Sequence, residues 1–183
     1  MTTPATAKTG REVDNLRQLA LRMGGLAENI LDKSLRAVWS RNIEVADEVA
    51  TEDIEIDRID VEIDTLVLSV LALHAPVAAD LRQTLAIKTM ATDLERVGDL
   101  ARNIASCAYR LAEREPTPAS TTLRQLADDS KRALSRSLQA FADLDVDLAR
   151  AVLAEDDKID TAEAQAIRES IARIHEDPRI SHQ

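Results

Sequence analysis

The sequence predicts an all-α protein, and three features of its composition carry that prediction. Hydrophobic residues make up 45% of the 183 residues, aromatic residues only 2%, and there are four Gly and five Pro. A β-sandwich or barrel would need many Gly- and Pro-containing turns and aromatic strands. A disordered chain would not carry so many Leu, Ile, Val and Ala residues. The remaining possibility is an aliphatic core built from a few long helices with short connections.

Prolines and short polar breaks divide the chain into five predicted helices. Proline is poorly tolerated inside a helix, so Pro76, the EPTP segment at 115–118 and Pro178 each mark a helix boundary. The side chain of Asn42 is suited to cap the helix that follows it. The predicted helices, which we expect to run antiparallel, cover residues 11–40, 43–74, 77–114, 120–143 and 146–176.

Apolar residues at alternating spacings of four and three give the second and third helices one continuous apolar face each. Three small residues of the third helix, Ala91, Gly98 and Ala105, would let a neighbouring helix approach closely. Antiparallel helices with such faces and short connections form a bundle. The predicted core positions are Val45, Val49, Ile56, Ile59, Ile63, Leu66, Val70 and Leu73, then Ile87, Met90, Leu94, Val97, Ala101, Ile104 and Ala108.

An internal repeat links the two halves of the sequence. Shifted by 103 residues, segment 31–57 aligns with segment 134–160 at ten identical positions, well above chance for this composition. Helices four and five therefore repeat helices one and two. We predict one three-helix repeat at 11–115 and a second at 119–183. The second repeat is expected to lack its last helix and to be an incomplete bundle, so its apolar face is exposed or covered by a second copy of the chain.

Acidic residues form a stripe along the second helix, which we expect to lie beside the apolar face. Its members are Asp53, Asp57, Asp60 and Asp64. On the third helix, Glu95 lies as far after Pro76 as Asp57 lies before it, and Asp99 pairs with Asp53 in the same way. An antiparallel hairpin therefore brings both pairs to the same height. Four carboxylates at one level repel one another unless a positive charge lies between them.

A metal ion is one source of that charge, because carboxylate oxygens favour hard cations such as Mg²⁺, Mn²⁺, Ca²⁺ or oxidised iron. A ferritin-like di-iron site is excluded, since no histidine follows a glutamate at the required spacing of three. The other possibility is a solvated acidic face without metal. Its charges would pair with neighbouring basic residues, namely Arg58, Lys88, Arg96 and Arg102.

Segment 90–105, MATDLERVGDLARNIA, resembles the signature of the PhoU family of phosphate-signalling proteins. The upstream run TEDIEIDRIDVEID and the turn at Pro76 resemble the same family, over about residues 11–178. The resemblance implies two tandem three-helix bundles and metal ligation by paired E/DxxxD motifs. By position it assigns the ligands to Asp53, Asp57, Glu95 and Asp99, with Asp156 and Asp160 as weaker candidates in the second repeat. The cation is left open among iron, manganese, magnesium and zinc.

The resemblance also implies a regulatory function without catalysis. Members of the family act between the Pst phosphate ABC transporter and a sensor histidine kinase. When phosphate is sufficient, they keep the kinase from activating phosphate-starvation genes and restrain uptake. The expected partners are thus that kinase, the transporter ATPase and a second copy of the chain. A metal-independent helical interaction module is the alternative.

The charge balance and the apolar pattern limit the classes of partner that the protein can bind and indicate its cellular location. The net charge of −10 disfavours nucleic acid and anionic membrane surfaces, which attract basic proteins. The N-terminal ten residues lack the apolar core of a signal peptide, and the most apolar stretch, 66–73, is too short to span a bilayer. The single cysteine cannot form an intrachain disulfide. We expect a cytoplasmic protein that binds other proteins.

Overall fold

The computed structural model describes residues 4–115 and 120–176, with side chains from residue 9 onward. These residues form five helices and no strand, as the sequence predicts. Helix α1 begins earlier than predicted, because proline is well placed in a first helical turn and nothing breaks the helix before residue 11. The helices are α1 (Pro4–Ser40), α2 (Ile43–His74), α3 (Ala78–Ala112), α4 (Thr121–Asp143) and α5 (Val146–Glu176).

The internal repeat is visible in the two turns that it relates. Arg41 after α1 and Leu144 after α4, which are 103 residues apart, both adopt a left-handed conformation with φ 55°. Each is followed by a capping side chain: Asn42 accepts a hydrogen bond from the Val45 amide at 2.9 Å, and Asp145 accepts one from the Leu148 amide at 2.9 Å. The same turn chemistry therefore starts α2 and α5, and the predicted Asn42 cap is confirmed.

The described helices fall into two compact units, and the chain up to Leu31 with Glu48–Asn103 forms the first. Its core is aliphatic, as predicted, and includes the fully buried Met23, Ile59 and Ile87. One predicted core residue is wrong: Leu73 is 74% exposed, because it lies in the last turn of α2, where the helix is about to leave the packed region. The turn at 75–77 leads directly into α3.

The second unit consists of Asp32–Asp47 and the chain from Ile104 onward, in which α4 packs on α5. The Arg41 guanidinium caps the end of α3 by donating to the carbonyl oxygens of Leu111 at 3.0 Å and Arg114 at 2.7 Å. Few described side chains of α4 and α5 are buried, namely Leu138, Ala140 and Ala166. The predicted repeats, 11–115 and 119–183, do not coincide with these two units. Their boundaries stay a prediction.

No helix in the described ranges combines the length and the apolar content that crossing a bilayer requires.

Candidate metal centre

The four carboxylates that the sequence singles out lie in the first unit, on α2 and α3. Asp53 is 1% exposed, whereas Asp57 is exposed and Glu95 and Asp99 are partly exposed. The expectation that the acidic stripe lies beside the apolar face is wrong for Asp53. Asp53 follows Val49 by four residues and precedes Ile56 by three, so it occupies a position of the buried face itself.

Gly98 of α3 makes room for the buried Asp53 carboxylate. A Cβ atom added at Gly98 would lie 2.5 Å from Asp53 Oδ1 and 3.4 Å from Ile56 Cδ1. The first of these distances is shorter than carbon and oxygen atoms can approach without a bond. The predicted close approach of α3 is thus confirmed at Gly98, and the space left by Gly98 holds an acidic side chain.

Arg102 is the cation that faces this pocket. Its Nη1 lies 2.9 Å from Asp53 Oδ2, and its Nη2 pairs with Asp99 Oδ1. Neither Asp53 oxygen accepts a well-oriented hydrogen bond from the described residues, and Oδ1 lacks the ion-pair contact that Oδ2 makes with Arg102. A buried acceptor without a donor costs about 1–3 kcal/mol. The ion pair therefore leaves half of the Asp53 carboxylate without a partner.

Burial, together with the surrounding charges, raises the pKa values of Asp53 and Glu95. Burial, with a smaller contribution from the charges of Asp57 and Asp99, holds the pKa of Asp53 above its usual value, and Arg102 opposes the shift only in part. Burial also raises the pKa of Glu95, together with the charges of Asp99, Asp57, Asp60 and Asp53. The four predicted residues thus share one electrostatic neighbourhood, and Asp60 belongs to it as well.

Two of the four basic residues that we expected near the acidic stripe form ion pairs with it. Arg102 bridges Asp53 and Asp99, and Lys88 pairs with Asp64 and lies 3.7 Å from Asp60 Oδ1. The other two, Arg58 and Arg96, form ion pairs with residues of their own helices, Glu55 and Asp93. We call the six acidic residues the carboxylate ladder: Asp53, Asp57, Asp60 and Asp64 of α2, with Glu95 and Asp99 of α3.

The ladder fits a hard cation in its chemistry. All donors are carboxylate oxygens, Asp53 Oδ1 is buried without a donor, and Gly98 leaves the space in which that oxygen lies. As the side chains stand, however, no group of three or more His, Cys, Asp or Glu residues within 4–115 and 120–176 is gathered closely enough to hold an ion. Arg102 supplies the positive charge instead, and its side chain is 47% exposed.

The corresponding pair of the second repeat lies in a different setting. Asp156 and Asp160 of α5 are both exposed. The neighbouring Glu155 pairs with Arg136 of α4, which lowers the pKa of that glutamate. The structure thus places the repeat-equivalent of Asp53 on the surface rather than in a core.

The sequence named Lys88 among the basic residues near the acidic stripe but did not show which carboxylates it pairs with, and it did not show that Asp53 is buried. A signal for Lys88 was present, because Lys88 follows Pro76 by the same twelve residues by which Asp64 precedes it. The sequence gives one indication that Asp53 is buried: its position continues the alternating four- and three-residue spacing of the apolar residues of α2.

Five helices with an internal repeat, and a ladder of carboxylates on α2 and α3, define an α-helical bundle protein with repeated helices. The profile of the PhoU domain matches residues 20–108 and, a second time, residues 123–182. The chain belongs to the PhoU domain family, and the resemblance of segment 90–105 is confirmed.

Relatives and solved structures agree with this assignment. The chain is 33% identical over 172 residues to the phosphate-specific transport system accessory protein PhoU homolog of Aquifex aeolicus, which covers 94% of this chain and 78% of the relative. It is 34% identical to the homolog of Pseudomonas putida, over 92% of this chain and 66% of the relative. The crystal structure of PhoU from Pseudomonas aeruginosa superposes with a TM-score of 0.89 at 32% identity, over 93% of this chain and 82% of that one.

Proposed function

We propose that this chain is a non-enzymatic regulator of phosphate transport and phosphate-starvation signalling. The match of the PhoU domain to both repeats carries the proposal, and relatives from several bacteria are named as accessory proteins of a phosphate-specific transport system. In this role the protein acts in the cytoplasm on a sensor histidine kinase and on the ATPase of the phosphate transporter. When phosphate is sufficient, it holds the kinase inactive and restrains uptake.

The carboxylate ladder supplies the second part of the proposal, a metal ion held by Asp53, Asp57, Glu95 and Asp99. The buried Asp53 oxygen without a donor and the raised pKa of Glu95 both indicate a site whose negative charge is incompletely neutralised. A divalent cation supplies that charge and cross-links α2 to α3. For the ion to enter, Arg102 gives up its contact with Asp53.

A metal-independent interaction module is the second candidate, and the arginine bridge favours it. Arg102 already joins Asp53 to Asp99, so the hairpin is held together without an ion. Under this alternative the ladder is a structural feature, and the partners bind elsewhere on the acidic surface.

Gene-expression measurements test the regulatory role. We expect the chain, produced in a bacterium that lacks its own PhoU, to restore repression of a phosphate-starvation reporter in phosphate-rich medium. Glu95→Ala/Asp99→Ala should lose repression if the metal site is needed, whereas the matched pair Asp156→Ala/Asp160→Ala should retain it. A soluble, folded chain that leaves the reporter fully active would contradict the proposal. Full repression by Glu95→Ala/Asp99→Ala would favour the metal-independent module.

We also propose that the chain self-associates through α5. Ile167, Ile171 and Ile174 are 52%, 51% and 37% exposed, and their spacings of four and three residues keep them on one side of the helix. Contiguous apolar surface of this kind is rare on monomers. Light scattering should show a dimer or larger species for the parent and a shift toward monomer for Ile167→Ser/Ile171→Ser. A monomeric parent at every concentration tested would exclude the proposal.

A further inference from the structure

The solvent-facing side of α2 carries a large apolar side chain at every seventh residue. Ile54, Val61 and Leu68 are 66%, 65% and 67% exposed. Residues seven apart lie on the same side of a helix, so the three side chains form one line about 20 Å long. Single apolar residues are common on a protein surface, whereas an ordered line of them is typical of an interaction surface.

Two members of the carboxylate ladder lie between these apolar residues. Asp57 follows Ile54 by three residues, and Asp64 follows Val61 by three. Asp57 is exposed, and the side chain of Asp64 is 45% exposed. The alternating spacing of three and four is that of a coiled-coil seam, in which apolar and acidic residues here take turns. We call this line the mixed seam: Ile54, Asp57, Val61, Asp64 and Leu68.

Helix α3 widens one end of the mixed seam. Leu85 is 49% exposed and lies nine residues after Pro76, while Leu68 lies eight before it. In the antiparallel hairpin the two leucines are therefore at nearly the same height. The ion pair between Lys88 and Asp64 joins α2 to α3 one turn away. The apolar surface at this end thus spans two helices.

The charge of the surface decides which occupant fits it. Among the residues that the structure describes, Lys88 and Arg102 are the cations that pair with the six carboxylates of the ladder, so the surface stays negative. A second copy of the chain would place one acidic seam against another, and an anionic membrane is repelled for the same reason. A helix with basic residues between its apolar ones complements both features of the seam.

We propose that the mixed seam is the docking surface for a basic amphipathic helix of a partner protein. Apolar side chains of that helix pack on Ile54, Val61 and Leu68, and its Lys or Arg residues pair with Asp57 and Asp64. The inference rests on the proposed regulatory function for the biological role of the partner, and the experiment below separates the two.

The test measures binding of a synthetic peptide to the full chain in metal-free buffer by fluorescence anisotropy. The peptide is a helix of about 21 residues with Leu and Lys alternating at spacings of three and four. The parent should bind it, and the affinity should fall as salt is added. A peptide with Glu in place of each Lys should not bind. Val61→Ser/Leu68→Ser should bind the Lys peptide about tenfold more weakly or worse, because two apolar contacts are lost.

The second repeat offers a matched control for each kind of contact. Val146 and Leu153 of α5 are also a Val and a Leu seven residues apart, and they are 59% and 74% exposed. Val146→Ser/Leu153→Ser should keep the parent affinity. For the charge, Asp57→Asn should weaken binding about two- to fivefold, as expected for an exposed ion pair. Its repeat counterpart Asp160→Asn should leave the affinity unchanged.

Three results would overturn the inference. The first is a parent that does not bind the Lys peptide, or binds it no more tightly than Val61→Ser/Leu68→Ser does. The second is an equal loss in Val146→Ser/Leu153→Ser, which would reduce the effect to overall hydrophobicity. The third is another occupant: light scattering that shifts Val61→Ser/Leu68→Ser toward monomer, or co-sedimentation of the parent but not of this variant with phosphatidylserine vesicles.

The phosphate-starvation reporter distinguishes this inference from the proposed function. If the parent represses the reporter but does not bind the Lys peptide, the regulatory function stands and the docking surface fails. If the parent binds the peptide through the mixed seam but leaves the reporter active, the docking surface stands and the regulatory function fails. Circular dichroism checks the folding of each variant. If Val61→Ser/Leu68→Ser does not fold, Leu68→Ser takes its place, and an affinity equal to that of the parent overturns the inference.

Discussion

The two repeats carry identical residues at equivalent positions, yet only the first buries them. Val49, Asp53 and Ile56 of α2 are at most 1% exposed, whereas their counterparts 103 residues later, Val152, Asp156 and Ile159 of α5, are partly or fully exposed. The turns that precede these helices share the same left-handed conformation, at Arg41 and Leu144, and equivalent capping bonds. The local sequence therefore determines where a helix begins. Which of its residues are buried depends on the other helices that pack against it.

The difference matters most for the acidic residues. In the first repeat α3 presents Gly98 and Arg102 to Asp53, so a carboxylate is held in a core and its pKa is raised. In the second repeat the equivalent Asp156 is exposed to water. Binding of a cation to a buried, incompletely neutralised carboxylate is strongly favourable. Binding to a hydrated carboxylate is much less favourable, because water already stabilises its charge.

The largest effect should come from truncating the same isoleucine in both repeats. Ile56→Ala removes a fully buried side chain and should lower the free energy of unfolding by about 2–5 kcal/mol. Ile159→Ala should cost only about 1 kcal/mol, because Ile159 is partly exposed. Urea denaturation followed by circular dichroism measures both. Equal losses would mean that the second repeat is as well packed as the first.

Adding one methyl group at Gly98 should test the pocket around Asp53. Gly98→Ala forces the Asp53 carboxylate or the helix to move and should destabilise the protein by about 1–3 kcal/mol. The control is Gly25→Ala in α1, where an added Cβ meets nothing within 4 Å. That substitution should stabilise the protein by about 0.5–1 kcal/mol, because alanine favours helix. The two substitutions should therefore change the free energy of unfolding in opposite directions. If Gly98→Ala stabilises the protein, the pocket around Asp53 is not tightly packed.

Neutralising Asp53 should have a smaller, pH-dependent effect. Because the folded-state pKa of Asp53 is raised above 3.8, the folded protein binds the proton more tightly than the unfolded chain does. This contribution to stability is full below the unfolded-state pKa and is lost as the pH rises through the folded-state pKa. Asp53→Asn should therefore stabilise the metal-free protein at pH 7 by about 1 kcal/mol and flatten the fall of stability above pH 4.

Asp156→Asn is the matched control for that titration. Since Asp156 is exposed, its neutralisation should change the free energy of unfolding by less than about 0.5 kcal/mol at any pH. Thermal unfolding curves of both variants between pH 4 and pH 8 supply the comparison. An Asp53→Asn variant that loses stability at pH 7 would mean that the Arg102 ion pair outweighs the cost of burial.

Much of the fold could be predicted from the sequence, because helix boundaries depend on local chemistry. The bounds of α2 could be predicted from the proline positions, the Asn42 cap and the spacing of the apolar residues. The internal repeat predicted an equivalent turn between α4 and α5. The burial of Asp53 could not be predicted in the same way. It depends on Gly98, a residue 45 positions away that leaves room on the facing helix. Sequence spacing brought Glu95 and Asp99 to the right height, but it did not show that Arg102 would take the central place.

We propose that the first repeat holds a cation through its carboxylate ladder and that the second repeat does not. Elemental analysis of purified protein after equilibration with Mn²⁺ and gel filtration tests it most directly. The parent and Asp156→Ala/Asp160→Ala should retain the same amount of metal. Glu95→Ala/Asp99→Ala should retain none while its helical circular dichroism stays unchanged. Equal metal content in the parent and in Glu95→Ala/Asp99→Ala would contradict the claim.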